Sequence, residues 1–382
     1  MKKIVFLINS LKIGGGERVV QTLANNLYAD YEIHLVLLED RIDFVLDSRI
    51  KIHILKKNNE SNSLVQKFFS LFFQVKSLSQ YLKKNNINFV QSHLFRANYL
   101  NIMTKMVYSS HYAQIVTHGL ISLFDREGFK GKINKILTMY LYPHADSSIH
   151  VSKEVANELK YIEKYTLDKR VIYNPFDISE IELLSEESID DFYFDNNYKY
   201  LIFVGRINKV KNIDLIFEAL KVLDNKNIQL IILGDEEDVK IKDLMNKFIN
   251  LDNIHYLGSK KNPYKYIKKC DVLILSSISE SFGNVIVEAM ACNTVSICSD
   301  CGGPFEILNS SSDNFSRNEN DVQLLEYGLL FTVGDKRGLA NAIKMLLSRK
   351  NNILDNYRNK LKKRVQDFDN STIIQQYKDA IR

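Results

Sequence analysis

Short apolar, β-rich runs alternate with helical patterns along this chain, and the alternation occurs twice. In the first half the apolar runs fall at 4–8, 33–38, 50–55, 89–92, 114–117, 148–151 and 170–173. Helical spacing of apolar positions marks 17–28, 63–84, 96–108 and 153–161. Asn174-Pro175 interrupts the rhythm, and the acidic stretch 179–195 reads as a linker. The rhythm then restarts, with strands predicted at 200–204, 229–233, 253–257, 272–275 and 295–298. Helices are predicted at 213–223, 239–248, 284–291 and 338–349, followed by a polar helical stretch from about 351 to 382. Strands alternating with helices predict parallel sheets covered on both faces, so the fold class is α/β.

At 382 residues the chain is long enough for two cores. Apolar residues at 45% and charged residues at 25% are ordinary for a globular protein. The Asn/Lys/Ser-rich stretches 56–62 and 310–320 are short enough to be loops. The apolar run at 4–8 is too short for a signal-peptide core and reads as a first strand. No stretch approaches the ~18 to 20 apolar residues of a spanning helix, so a cytoplasmic protein is expected. Cys298 and Cys301 form a C-x-x-C without further ligands or a thioredoxin-like context, so they read as small residues filling a strand end. A net charge of +5 is weak for a nucleic-acid binder. Between Glu60 and Lys135, however, ten cations face only three anions, which points to an anionic partner for the first half.

Parallel α/β domains bind ligands at the carboxyl ends of their strands, so those loops carry the candidate chemistry. The first is Gly14-Gly15-Gly16-Glu17-Arg18, where glycines allow close backbone approach and a helix N-terminus favours an anion. It lacks both the P-loop ending and the dinucleotide spacing. After the strand at 200–204 come Arg206 and Lys211, two cations suited to a diphosphate. The strongest segment runs from Ser279 to Ala291. Glu280 lies in a loop, Gly283 permits a sharp turn, a helix opens near Asn284, and Glu288 sits about one turn into it between apolar flanks. A carboxylate there accepts hydrogen bonds from a vicinal diol such as ribose. The acidic run Asp235-Glu236-Glu237-Asp238 reads as a surface loop rather than a cation site.

Glu280 and Glu288, with seven residues between them, resemble the E-x7-E motif of the retaining glycosyltransferases of family 4. Gly14–Arg18 resembles that family's Gly-Gly-x-Glu-Arg loop, and Gly205-Arg206 with Lys211-Asn212 its Gly-Arg…Lys-Asn motif. Gly302-Gly303-Pro304-Phe305-Glu306 resembles its Gly-Gly-x-x-Glu segment, and Gly328-Leu329-Leu330 its Gly-Leu-Leu. Ser281 and Cys292-Asn293-Thr294-Val295 depart from the family's usual turn residues.

The resemblance implies the GT-B fold, in which two Rossmann-like domains face a central cleft and the C-terminal helix crosses back to the first domain. The expected boundaries are 1–175 with about 367–382 for the acceptor domain, and 176–366 for the nucleotide-sugar domain. It further implies that Arg206 and Lys211 hold the donor diphosphate, Glu288 the ribose and Glu280 the donor sugar. Phe282, Gly283, Asn284 and Val285 would line the donor, with the base near Tyr256 and Leu257. Gly15 and Gly16 would approach phosphate and acceptor, and His118 would lie near the anomeric centre. Neither metal nor cofactor is required by this scheme.

The expected reaction moves a hexose or N-acetylhexosamine-type sugar from a nucleotide-sugar, a UDP-sugar first, to a lipid-linked saccharide in bacterial surface-polysaccharide (O-antigen or capsule) assembly. Phe69 and Phe73, with Lys130, Lys132 and Lys135, suggest contact with an anionic membrane surface, hence a peripheral position on its inner face. The alternatives are a sugar-nucleotide epimerase on the same scaffold, separated by product analysis with donor alone, and a non-catalytic nucleotide-sugar-binding module.

Overall fold

The computed structural model describes residues 1–55, 64–108, 110–164, 166, 168–248, 253–310, 322–348 and 352–381, with the backbone alone for 64–70. The stretches 56–62 and 311–320, read above as loops, lie outside the described residues. The chain divides into two compact units, Met1–Pro175 with Ser371–Arg382, and Phe176–Asn370.

In the first unit the order is β1 Lys2–Ile8, α1 Gly15–Leu27, β2 Tyr31–Leu37, β3 Lys51–Ile54, α2 Leu64–Asn85, β4 Phe89–His93, α3 Phe95–Val107, β5 Tyr112–Thr117, α4 Gly128–Leu141, β6 Ser147–His150, α5 Lys153–Leu159 and β7 Asp168–Val171. The sheet order is β3-β2-β1-β4-β5-β6-β7, every pair parallel. With helices on both faces a central strand has no wet side, which is why Ile4 to Ile8 are all fully buried rather than alternating. Helix α1 buries Val19, Val20, Leu23, Ala24 and Leu27, the stripe expected at helical period.

The second unit runs α6 Ile178–Ser185, β8 Lys199–Val204, α7 Asp214–Leu223, β9 Ile228–Leu233, α8 Ile241–Lys247, β10 Ile254–Gly258, α9 Tyr264–Lys269, β11 Val272–Leu275, α10 Asn284–Ala291, β12 Val295–Ser299, α11 Gly303–Leu308, β13 Gln323–Leu324, β14 Gly328–Phe331, α12 Lys336–Leu347 and α13 Ile353–Arg364. Its sheet order is β10-β9-β8-β11-β12-β14-β13, parallel except for β13 against β14. In each sheet the order reverses beside the first strand, between β1 and β4 and between β8 and β11. Open α/β sheets bind ligands at such switch points.

Three sequence expectations change. The acidic stretch 179–195 is not a linker throughout: α6 occupies its start, capped by Asp177, which accepts from Glu180 N at 2.9 Å, and buries Ile178 and Ile181. Its charges are matched by the α9 region, where Lys260 pairs with Asp191 at 2.6 Å and Lys268 with Glu186. The polar stretch after 351 is not one helix, for α13 gives way to a 3-10 turn at Val365–Phe368 before α14, Asn370–Ala380. Helix α4, absent from the periodicity reading, leaves much of its apolar surface outside. Phe129 is 70% exposed and Ile136 65%.

Candidate active site

In the second unit the loop after β8 splits its two cations. Backbone pairing of Ile207 with the loop after β9 (Ile207 N to Asp235 O, 2.8 Å) holds the Arg206 side. There the Arg206 guanidinium donates to Glu237 Oε1 at 2.9 Å, and Asn208 donates to Glu237 Oε2 at 2.8 Å. The acidic run Asp235–Asp238 is thus engaged by protein partners, Glu236 pairing with Lys240 at 3.3 Å and Asp238 accepting from Lys209 N at 2.9 Å. Among the described residues no cluster of His, Cys, Asp or Glu is placed to hold a metal ion.

The Lys211 end is tied instead to the loop after β11. Ser276 Oγ donates to Lys211 O at 2.8 Å, and Ile278 N donates to Val210 O at 2.8 Å. These bonds bring Lys211 Nζ within 2.5 Å of Glu280 Oε2, to which Ser277 Oγ also donates at 3.3 Å. Lys211 and Glu280 side chains are only 23% and 17% exposed, so the pair is partly shielded from water. Glu280 is clamped on its other side: its N donates to Cys301 O at 3.1 Å, and Gly303 N donates to its carbonyl at 2.9 Å. Gly303 is required sterically, since a Cβ there would lie 2.5 Å from Phe282 Cα. Gly283, at φ +102°, then turns the chain into α10, which opens without a side-chain cap. Glu288 sits within α10 at 9% exposure.

Tyr256 and Leu257 lie on the outermost strand of this sheet. The Tyr256 hydroxyl donates to Gly234 O at 3.1 Å, and Leu257 is the extra residue where the β10–β9 register shifts. Strands β9 and β8 separate β10 from β11, so these residues stand on the order of 10 Å or more to the side of the Lys211–Glu280 pair.

The first unit gathers Gly16 and His118 at its own switch point. A Cβ on Gly16 would lie 3.0 Å from Leu94 Cδ2 and 3.3 Å from His118 Cγ, so glycine lets the α1 turn rest against the imidazole. Gly15 is the first residue of α1. The sequence reading missed two neighbours. His93, at the end of β4, shares a hydrogen bond with His118 (Nδ1 to Nε2, 3.0 Å), the rings stacked at 5.2 Å. Leu94 carries φ +73°, a strained value for a branched residue. The polar run Gln91-Ser92-His93 inside an otherwise apolar strand was the available signal. Burial pushes the His118 imidazole down to about 4 and that of His93 well below its ordinary value, so both are neutral near pH 7.

Cys298 and Cys301 carry free thiols. Burial pushes both up, Cys301 to about 12, so neither is poised as a thiolate.

Phe69 lies outside the residues whose side chains are described. Phe73 is 59% exposed, while Val75, Leu78 and Leu82 of the same helix are buried in the core. The larger exposed apolar face belongs to α4, where Phe129, Ile133, Ile136, Met139 and Tyr140 follow helical spacing beside exposed Lys130 and Lys132. Lys135 is bonded to Asp125 at 2.9 Å. Among the described residues no helix is long and apolar enough to cross a membrane.

Two seven-stranded sheets of this order, parallel but for β13 and with the candidate residues in loops at their switch points, define a two-unit doubly wound α/β fold. The family model "Glycosyltransferase Family 4" matches residues 13–180 and "Glycosyl transferases group 1" matches residues 185–368; the chain belongs to glycosyltransferase family 4, a family of retaining enzymes with the GT-B fold. One relative, N-acetylgalactosamine-N,N'-diacetylbacillosaminyl-diphospho-undecaprenol 4-alpha-N-acetylgalactosaminyltransferase of Campylobacter jejuni, is 28% identical over 100% of this chain and 99% of its own. Among solved structures, sucrose-phosphate synthase of Thermosynechococcus elongatus superposes with a TM-score of 0.78 at 17% identity, covering 100% of this chain and 98% of that one. The Anabaena protein HepE in complex with UDP-glucose gives 0.73 at 18% identity, covering 100% and 99%.

Proposed function

We propose that this glycosyltransferase moves a hexose or N-acetylhexosamine unit, with retention, from a UDP-sugar onto a lipid-linked saccharide in bacterial surface-polysaccharide assembly. The observation that carries this reading is the shielded Lys211–Glu280 pair beside the uncapped start of α10, at the switch point of the second sheet. An ammonium next to a helix N-terminus suits a diphosphate. A carboxylate held by Lys211 and Ser277 suits the hydroxyls of the transferred sugar. The relative that acts on an undecaprenol-linked acceptor, and the structural neighbour bound to UDP-glucose, support the same assignment.

In this scheme Lys211 and Arg206 hold the diphosphate, with the amides of Phe282, Gly283, Asn284 and Val285 around it. Glu280 takes the sugar, Glu288 the ribose, and Tyr256 with Leu257 the uracil. Gly15 and Gly16 approach phosphate and acceptor, and His118 meets a hydroxyl of the transferred sugar near the anomeric centre. The acceptor oxygen attacks the anomeric carbon on the face from which UDP departs. The carbon–phosphate-oxygen bond breaks as the new glycosidic bond forms, and the acceptor proton passes to a phosphate oxygen. Lys211 and Arg206 act chiefly on the charge that grows on the leaving diphosphate.

The exposed face of α4, apolar residues flanked by Lys130 and Lys132, is the surface assigned to an anionic membrane. That contact would hold the enzyme peripherally at the cytoplasmic face, where lipid-linked acceptors are presented. The test is a panel of nucleotide-sugars incubated with polyprenyl-diphosphate-linked saccharides and read by mass spectrometry. A UDP-sugar should give a product heavier by one sugar residue. Turnover of a donor alone to an isomeric UDP-sugar, or none with any acceptor, would sink the reading.

A further inference from the structure

A row of buried polar side chains crosses the first sheet and ends at His118. Gln91 of β4, Gln114 of β5 and Ser147 of β6 are direct register partners, so their side chains lie side by side across three strands. His93, two residues beyond Gln91, projects from the same face. The row is anchored by a group that can only accept, the backbone carbonyl of Ala380 in α14.

From that anchor the direction of every hydrogen bond follows. Gln114 Nε2 donates to Ala380 O and to Ser147 Oγ, both at 2.9 Å, which turns Gln114 Oε1 toward Gln91. That oxygen accepts from Gln91 Nε2 at 2.5 Å, leaving Gln91 Oε1 as the acceptor facing His93. His93 Nε2 must then carry the proton, donating at 3.0 Å, so its Nδ1 bears a lone pair. That lone pair lies 3.0 Å from His118 Nε2, which must therefore be the protonated nitrogen of His118. The remaining nitrogen, Nδ1, is on the ring edge turned to the α1 loop, 3.5 Å from where a Cβ of Gly16 would be. Low imidazole basicity at both histidines keeps each with a single ring proton near neutral pH.

We propose that Gln114, Gln91 and His93 are positioning residues that lock His118 in its Nε2–H tautomer, so that its Nδ1, on the Gly16 side, acts only as a hydrogen-bond acceptor. The consequence for substrate rests on the reading above, in which His118 touches a sugar hydroxyl. His118 then orients that hydroxyl through its oxygen-bound proton; it does not donate a proton to the leaving group. The backbone of the C-terminal helix, far away in sequence, sets this polarity through Ala380.

The experiment is long-range proton–nitrogen NMR of the full chain with 15N-labelled histidine at pH 7, the His118 signals being assigned by their loss in His118→Gln. Wild type should show His118 with a protonated Nε2 and an unprotonated Nδ1. A protonated Nδ1, alone or with Nε2, overturns the proposal, and this reading needs no variant. Gln91→Leu should mix the two tautomers and lower kcat about tenfold, with the donor KM unchanged. His93→Asn, whose Oδ1 can take the place of Nδ1, should keep about tenfold more kcat than His93→Leu. Equal losses in those two variants, or an unmoved tautomer in Gln91→Leu, count against the relay. If the tautomer is as stated but His118→Ala turns over normally, the relay stands and the placement of His118 at substrate fails.

Discussion

Replacing Lys211 separates structural from catalytic duty at the second-unit site. Its ammonium lies 2.5 Å from Glu280 Oε2, with both side chains less than a quarter exposed. At an effective dielectric near 20 the attraction is ~4 kcal/mol or more before desolvation is subtracted. Removing one partner of a fully buried pair costs ~3–5 kcal/mol, because the other charge is stranded. Partial exposure lets water reach Glu280, so Lys211→Met should destabilise the second unit by about 2 kcal/mol, or ~4–8 °C for a unit of this size. The double variant Lys211→Met/Glu280→Met removes the stranded charge, and most of that loss should return.

Activity should not follow. If Lys211 stabilises the departing diphosphate, its removal lowers kcat by about 10²–10³ in both the single and the double variant. The assays are differential scanning fluorimetry for stability and mass-spectrometric turnover at saturating donor. Recovery of kcat to within about threefold in the double variant would refute the catalytic role and leave the lysine a structural partner of Glu280. So would a Lys211→Met enzyme that melts early yet turns over normally.

Gly303→Ala pushes a methyl to 2.5 Å from Phe282 Cα and 2.6 Å from Phe282 N, so the Glu280–Gly283 loop must shift. A cost of ~1–3 kcal/mol in stability and at least about tenfold weaker UDP binding are expected by calorimetry, and unchanged UDP affinity argues against this loop as the donor site. His111 is buried, and its imidazole is lowered by desolvation to about 4. The unfolded chain therefore takes up a proton first, and stability present above about pH 6.5 is lost as pH falls toward 4, by ~1.4 kcal/mol per pH unit within that window. Urea midpoints between pH 7 and 4.5 should show this slope on top of those from His93 and His118, and His111→Gln, which keeps the donor to Asn101, should reduce the total by that one group's share. Phe129→Ser with Ile136→Ser alters side chains 70% and 65% exposed, so folding should stay within ~0.5 kcal/mol per site. Sedimentation with anionic vesicles should fall sharply, and equal sedimentation with the wild type removes α4 from the membrane surface.

The sequence signals that proved legible were those in which one segment carries its own reason. Ile4–Ile8 and Leu230–Leu233, the latter within the strand expected at 229–233, are legible because a parallel sheet buried on both faces needs uninterrupted apolar runs. Helix α4 escaped the same reasoning because its apolar residues point to the outside as well as the core, which erases the contrast between faces on which periodicity depends. Helix α6 was hidden by the acidic stretch around it, where Glu186 and Asp191, just beyond the helix, pair with Lys268 and Lys260, 82 and 69 positions on.

The two candidate sites divide along the same line. Arg206, Lys211, Glu280, Gly283 and Glu288 stand out within their own loops, but nothing local to Lys211 says that it meets Glu280 while Arg206 meets Glu237. That choice is made by strand order: β8 lies between β9 and β11, so the start of its loop is bonded toward one neighbour and the end toward the other. The row leading to His118 is the stronger case. Gln91 and Gln114 are 23 residues apart, Gln114 and Ser147 are 33 apart, and Gln114 meets Ala380 across 266. A glutamine in a central strand reads locally as a flaw in an apolar run. Only the register of β4, β5 and β6 turns Gln91, Gln114 and Ser147 into a directed chain, in which each donor meets the next acceptor and the polarity is carried through His93 to His118.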